Sequence, residues 1–147
     1  MKRATSFFLL FLQINFINFT QLSSYWTVSH HTKELLHTDI EDMQKNILML
    51  RHIDSGSLGN LTIAYHDNSA GRTKNEWIRT IALFTDNDQE LLRKEGDTLL
   101  ISDPNMALIA ATHSTVKVFT WSLPKDPVQA ARVRIRRVHL CTLIFDQ

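Results

Sequence analysis

TLLISDPNMALIAATHSTVKVFTWSLPKDPVQAARVRIRRVHLCTLIF, residues 98–145, decides the fold class of this chain. Its β-branched and aromatic runs favour strands, and the segments Asp-Pro-Asn, His-Ser and Pro-Lys-Asp-Pro separate these runs as turns. Polar residues interrupt each apolar run before the ~20 residues that a transmembrane helix needs. We therefore predict strands over residues 98–102, 106–112, 115–121 and 128–145. Residues 106–121 should form a mostly buried hairpin, in which an apolar strand, a tight polar turn and a strand that ends in an aromatic residue follow one another. This pattern occurs in β-propeller blades and in many other antiparallel hairpins.

The rest of the chain should pack on this sheet. Alternation predicts strands over residues 25–28, 61–66 and 76–85, and the last of these has apolar residues on both faces, as a central strand does. A charged segment, residues 86–97, is predicted to hold one helical turn at 89–94. A longer helix is predicted over about residues 33–51, because apolar residues recur there at helical spacing behind a capping box that starts at Thr38. The apolar residues of that stripe are Leu36, Ile40, Met43, Ile47 and Leu50.

These elements predict an α+β class: a mainly antiparallel β-sheet or small sandwich, with one amphipathic helix at about 33–51 packed on it. The length of 147 residues fits one domain, and 44% hydrophobic with 21% charged residues is typical of a globular chain rather than a disordered one. The formal charge of +1 favours neither a nucleic-acid nor a membrane partner.

Residues 1–24 have the pattern of a secretory signal. Lys2 and Arg3 precede the apolar run FFLLFL, and Ser23-Ser24 offers small residues near a cleavage point. An uncleaved membrane anchor and an apolar segment of a non-secreted protein are the alternatives. Under the signal interpretation, residues 25–147 form a single β-rich globular domain without a membrane span. The sequon at Asn60 is then a predicted glycosylation site.

Basic residues carry the binding hypotheses. Arg132, Arg134 and Arg136 share one face of the predicted last strand, and the apolar phase reverses after them, which predicts a bulge near Arg136-Arg137. Lys117 is predicted to lie on the neighbouring strand. The polar loop at residues 67–75, which contains Arg72 and Lys74, is long enough for a binding loop. The alternative interpretation is that the arginines are edge-strand charges that prevent aggregation.

Signals for catalysis and metal binding are weak. Histidines and the acidic run at 86–90 lack the spacing of zinc or calcium sites, and no nucleophile motif is present, so we predict no metal and no cofactor. Cys141, the single cysteine, is predicted to be a buried core residue. A small hydrolase would need His66, His113 or His139 to contact a carboxylate.

The function that the sequence favours is a non-enzymatic, secreted or lumenal binding module whose partner is a protein or an anionic ligand. A nucleic-acid partner is not expected, because the basic surplus is too small. The second hypothesis is an intracellular scaffold or β-propeller-like fragment, and the third is a hydrolase with histidine-dependent chemistry.

Overall fold

A computed structural model describes residues 23–51, 57–68 and 76–146. In this part of the chain, the elements in order are β1 Tyr25–His30, β2 Lys33–Thr38, β3 Ile47–Leu50, β4 Leu61–His66, β5 Trp77–Phe84, β6 Glu90–Glu95, β7 Thr98–Ile101, α1 Asp103–Thr112, β8 Thr115–Pro124, α2 Pro127–Ala130 and β9 Val138–Phe145.

The strands form two sheets. The first has four strands in the order β2-β1-β4-β7, and the second has five in the order β3-β9-β8-β5-β6. Every neighbouring pair is antiparallel except β3 and β9, which are parallel. The predicted α+β class, a mainly antiparallel small sandwich, is therefore confirmed.

Both sheets turn one face to a shared apolar core, because their strands alternate buried and less buried residues. The first sheet buries Trp26, Val28, Leu61, Ile63, Leu99 and Ile101, and the second buries Leu48, Leu50, Ile81, Leu83, Val116, Val118, Leu140, Cys141, Leu143 and Phe145. A smaller cluster of Ala82, Phe84 and Trp121, with Phe119 and Leu123 against it, lies on the outer face of the five-stranded sheet.

A bulge in β9 connects the sheets. The register between β8 and β9 shifts between Val118 and Phe119, so Leu140 has no partner on β8, and both Leu140 and Cys141 are fully buried. The indole N–H of Trp26 in the opposite sheet donates to the carbonyl of Leu140, with nitrogen and oxygen 2.8 Å apart. The carbonyl left outside the ladder thus finds a partner across the core.

The predicted helix at 33–51 is wrong. Residues 33–38 form β2, which pairs with β1 across a turn at His31, and residues 47–50 form β3. Leu48 and Leu50 are buried while Ile47 and Met49 are exposed, which is a period of two. Pairing with β1 and β9 therefore overrides the local helical spacing. Thr38 accepts a hydrogen bond from the Ile40 N–H, but only within a loop.

The helix on this sandwich lies elsewhere. Residues 103–112 form α1, with Pro104 in its first turn and with Met106 and Ile109 buried, so the predicted hairpin over residues 106–121 is wrong. The likeness to a β-propeller blade depended on this hairpin, so it is not supported either. The helical turn predicted at residues 89–94 is also wrong, because the strand β6 begins at Glu90 and runs to Glu95.

The predicted arginine strand is also wrong. Residues 127–130 form α2, residues 131–137 form no strand, and β9 begins at Val138. The bulge near Arg136-Arg137 is misplaced, since the register shift lies at Leu140. The strands predicted near 25–28, 61–66, 76–85, 98–102 and 115–121 are present, and β5 lies inside its sheet. In the described ranges, no helix has the length and apolar character to cross a membrane.

Candidate functional site

A cleft of about 640 Å³ opens at one end of the sandwich. On β5, the buried Ile81 and Leu83 face the core. Arg79 and Trp77 lie on the same face nearer the start of the strand, because alternate residues of a strand share a face. The apolar core therefore ends at Arg79 and gives way to a polar cavity. Tyr65 and Asp67 line this cavity from the opposite sheet.

Arg79 is the best-anchored charge in the cleft. Its side chain is only 10% exposed, and Nη2 lies 2.6 Å from Asp67 Oδ2. Its Nε lies 3.4 Å from Asp97 Oδ1 in an ion pair without good hydrogen-bond geometry. The guanidinium carbon stands 3.8 Å above the ring centre of Tyr65. A guanidinium held by two carboxylates and an aromatic face has a fixed orientation.

The aromatic side of this arrangement leads back to the bulge. Tyr65 stacks on Trp26 with ring centres 6.1 Å apart, and Trp26 donates to the Leu140 carbonyl. Val138, two residues before Leu140, lines the cleft. The hydrogen bond between the sheets is therefore connected, through Trp26 and Tyr65, to Arg79 at the floor of the cleft.

Residues 133–138 supply the other wall. Val133, Arg134, Arg136 and Val138 line the cleft, and Ile135 and Arg137 line a neighbouring cavity of about 450 Å³ on the outer face of the five-stranded sheet. From Arg134 to Val138, alternate residues of this segment thus line two different cavities.

Arg137 anchors the segment on the outer face. It donates to both carboxylate oxygens of Asp88, at 2.9 and 3.0 Å, and its guanidinium carbon lies 4.9 Å from the ring centre of Phe84. The hydrogen bonds with Asp88 raise the pKa of Arg137 and lower that of Asp88. Bidentate pairing restrains both orientation and position, so it holds the segment in place.

The cationic groups of the cleft differ in how far they are neutralised. Arg79 contacts two carboxylates, and Arg136 contacts Glu41 at 2.6 Å. Arg134 is exposed and forms no hydrogen bond or ion pair with any residue in the described ranges. Arg134 is therefore the cleft arginine whose charge no carboxylate in the described ranges balances.

The predicted binding residues divide into four groups. Arg134 and Arg136 meet in the cleft, whereas Arg132 is exposed and does not line it. Lys117 lies on the outer sheet face, where it pairs with Asp86 at 3.1 Å. Arg72 and Lys74, with most of the 67–75 loop, lie outside the described residues. The edge-charge interpretation of the arginines is wrong, because they precede β9 and β9 is an interior strand.

Sequence reasoning missed Arg79. The sequence does contain a signal for it, because Arg79 falls on the same strand face as Trp77, Ile81 and Leu83. A charge on the apolar face of a strand needs a buried partner, so it marks either an ion-pair network or a site. Tyr65 and Asp67 carry no comparable signal, since only the packing of β4 against β5 brings them to Arg79.

Asn60 lies exposed directly before β4. Its Oδ1 accepts the backbone N–H of Asp103 at 2.8 Å, which leaves the Nδ2 of the sequon outside that bond. The predicted glycosylation stays a prediction.

Catalytic and metal arrangements are not found among residues 23–51, 57–68 and 76–146. No group of three or more His, Cys, Asp or Glu side chains could hold a metal ion there. His66 stacks on Tyr25, and the imidazole of His139 bonds to the Thr142 hydroxyl. Among the described residues, no hydrogen bond or ion pair joins the ring of His66, His113 or His139 to a carboxylate. Cys141 is fully buried, and burial raises its thiol pKa to about 12.

No known protein family, curated protein or solved structure matches this chain.

Replacing Arg79 tests the ion-pair network. Arg79→Met should lower the free energy of unfolding by about 2–4 kcal/mol, because Asp67 and Asp97 lose the guanidinium that both contact. Arg93→Met is the matched control, since its pair with Glu90 is exposed, and should cost less than about 1 kcal/mol. Urea denaturation measures both. Equal losses in the two variants would contradict the anchoring role of Arg79.

His139 makes stability depend on pH. Burial lowers its pKa below the ordinary 6.5, with partial opposition from Glu41 and a small further lowering from Lys117. Well above pH 6.5 both folded and unfolded chains hold a neutral imidazole. Below it the unfolded chain binds the proton more readily, so stability falls with pH.

We expect His139→Gln to lose less stability than the natural chain between pH 7 and pH 5, in unfolding curves measured across that range. His37→Gln, on an exposed part of β2, is the control and should keep the natural pH dependence. An unchanged slope in His139→Gln would refute the assignment.

Proposed function

We propose that this protein is a non-enzymatic binding module that takes an anionic ligand into the cleft at the end of the sandwich. The observation that carries the proposal is Arg134, an exposed cation on the cleft wall with no partner in the described part of the chain. Arg136 lies two residues further on the same wall. A pair of guanidinium groups at the mouth of a cavity fits the fork geometry of carboxylate, phosphate and sulfate groups.

The anion is expected at the mouth of the cleft rather than at Arg79. Asp67 and Asp97 already neutralise the Arg79 guanidinium, so a second anion there would be repelled. Arg136 is less committed, because its side chain is 78% exposed and has one ion-pair partner, Glu41. The other carboxylate oxygen of Glu41 accepts a hydrogen bond from the backbone N–H of His139 at 2.8 Å. Glu41 therefore keeps this hydrogen-bond partner when Arg136 turns to a ligand.

The interior of the cleft suits the body of such a ligand. Trp77 and Val138 contribute apolar surface, while Ser122 contributes a hydroxyl group. A volume of about 640 Å³ is typical of a site for a small molecule or for one or two units of a longer chain. The ligand classes that share this chemistry are phosphate compounds, sulfated glycans and carboxylate-rich partners.

The compartment proposed for this module is the secretory pathway or the outside of the cell. The charged and apolar start of residues 1–24 and the exposed position of Asn60 support that placement. The Arg134 cleft does not depend on it.

Anion binding is tested by replacing both arginines of the cleft wall. Calorimetry with inorganic phosphate, a heparin-derived sulfated oligosaccharide and a polyglutamate peptide should find binding for at least one of them. Arg134→Ala with Arg136→Ala should weaken that binding about 100-fold or more, because each charge-assisted hydrogen bond contributes about 1.5–3 kcal/mol and every 1.4 kcal/mol is tenfold in affinity. The melting temperature should stay unchanged, since both side chains are exposed.

Arg132→Ala is the matched control for this pair. It removes the same charge from the same segment at a position that does not line the cleft, so it should keep the natural affinity. Absence of binding to all three probes, or an equal loss in Arg132→Ala, would reject the cleft as the anion site.

The compartment is tested separately by mass spectrometry of the protein released from secreting cells. We expect loss of about 24 residues, which is the ordinary length range of a signal, and a glycan at Asn60. Asn60→Gln should remove the glycan mass and leave the cleavage unchanged. Intact protein in the cytosol would contradict this placement.

A further inference from the structure

Among the described residues, only β9 pairs with β3, so β3 is an edge of the five-stranded sheet there. On the outer face of this edge the side chains of Ile47 and Met49 are 41% and 59% exposed. Ile40 and Met43, in the loop that leads into β3, are 65% and 53% exposed. Four large apolar side chains within ten residues therefore surround one sheet edge.

The other edges differ in character. β2 carries Lys33, Glu34 and His37, and β6 carries charges at four of its six positions. Charged side chains are the usual protection of an edge strand against pairing with another chain. β7 has one exposed apolar side chain, Leu100, at 55%. β3 is thus the edge with the largest exposed apolar surface in the described part of the protein.

The backbone of β3 has groups directed to this open edge. Toward β9, the carbonyl of Asn46 accepts the Thr142 N–H at 2.8 Å, and the carbonyl of Leu50 accepts the Asp146 N–H at 3.1 Å. Backbone groups of successive strand residues point to opposite sides, so those of Ile47 and Met49 point away from β9. The Ile47 N–H bonds back to the Lys45 carbonyl at 2.8 Å, and Met49 is left as the central residue of the open edge.

We propose that a second copy of this chain pairs its β3 antiparallel with this edge, with Met49 of each copy at the twofold axis. The two Met49 residues would exchange backbone N–H···O=C bonds as a hydrogen-bonded pair, and their exposed side chains would cover each other. The result is a continuous sheet across both copies. Because the arrangement is isologous, it closes at two copies and leaves neither β3 edge open.

Charge favours a second copy over a strongly charged partner. An ion pair lies at each end of the strand: Asp42 with Lys45 before it, and Arg51 with Asp146 after it. Antiparallel pairing brings the first ion pair of one copy beside the second ion pair of the other, so each cation gains a carboxylate of the opposite copy. The edge is neutral as a whole and complementary to itself.

Met49 on β3 and Arg134 on the cleft wall lie on different elements, so dimer formation and anion binding are tested by separate variants. Sedimentation equilibrium of the full chain over a range of concentrations should show a monomer–dimer equilibrium. Met49→Lys places two like charges at the axis and should raise the dimer Kd about tenfold or more. Leu100→Lys, an equally exposed position on the other apolar edge, should leave the Kd unchanged.

A crosslink tests the geometry without changing the charge of the strand. Met49→Cys should form a covalent dimer with a short bismaleimide reagent, whereas Leu100→Cys should not. The Cys141 thiol does not compete, because it is fully buried with its pKa raised to about 12. A chain that stays monomeric at every concentration, a Met49→Lys variant that dimerises normally, or a Met49→Cys variant that fails to crosslink would overturn the proposal.

Discussion

The hydrogen bond from the Trp26 indole to the Leu140 carbonyl ties the two sheets together inside the core. It exists because the β9 bulge removes Leu140 from the ladder with β8 and leaves its carbonyl in need of a partner. Trp26 in turn stacks on Tyr65, and Tyr65 supports the Arg79 guanidinium. The position of the cleft floor is therefore set by the same contacts that join the sheets.

A second constraint acts on the opposite wall of the cleft. Residues 134–137 belong to no sheet, β9 begins at Val138, and the residues from Arg134 to Val138 line two cavities alternately. Arg137 is fastened to Asp88 over the ring of Phe84, so the outer face restrains the backbone that carries Arg134 and Arg136. A cationic wall can thus remain exposed to solvent and still have a defined position.

Part of this fold was predictable from the sequence. Strands with clear alternation or continuous apolar character, such as β4, β5 and β7, were predicted with nearly correct bounds. The segment 33–51 was not, because its apolar residues recur at helical spacing, and only pairing with β1 and β9 makes residues 33–38 and 47–50 strands. The helix α1 was also predicted wrongly, because the alanine-rich run after Pro104 was interpreted as a strand.

The site was predictable to a smaller extent. Arg134 and Arg136 were identified from their charge, although the predicted strand that carried them does not form. Arg79 was detectable in principle as a charge on an apolar strand face. Tyr65, Asp67 and Trp77 were not, since their roles follow from contacts between residues distant in sequence, which local patterns do not encode.

The most direct test of the cleft as an anion site is a nuclear magnetic resonance titration that follows the side-chain Nε–Hε signals of the arginines. With a heparin-derived sulfated oligosaccharide as the probe, the signals of Arg134 and Arg136 should shift with ligand concentration. Those of Arg93 and Arg137, which are paired on the outer sheet face, should stay unchanged. Shifts confined to Arg93 and Arg137, or uniform shifts at every arginine, would contradict the account.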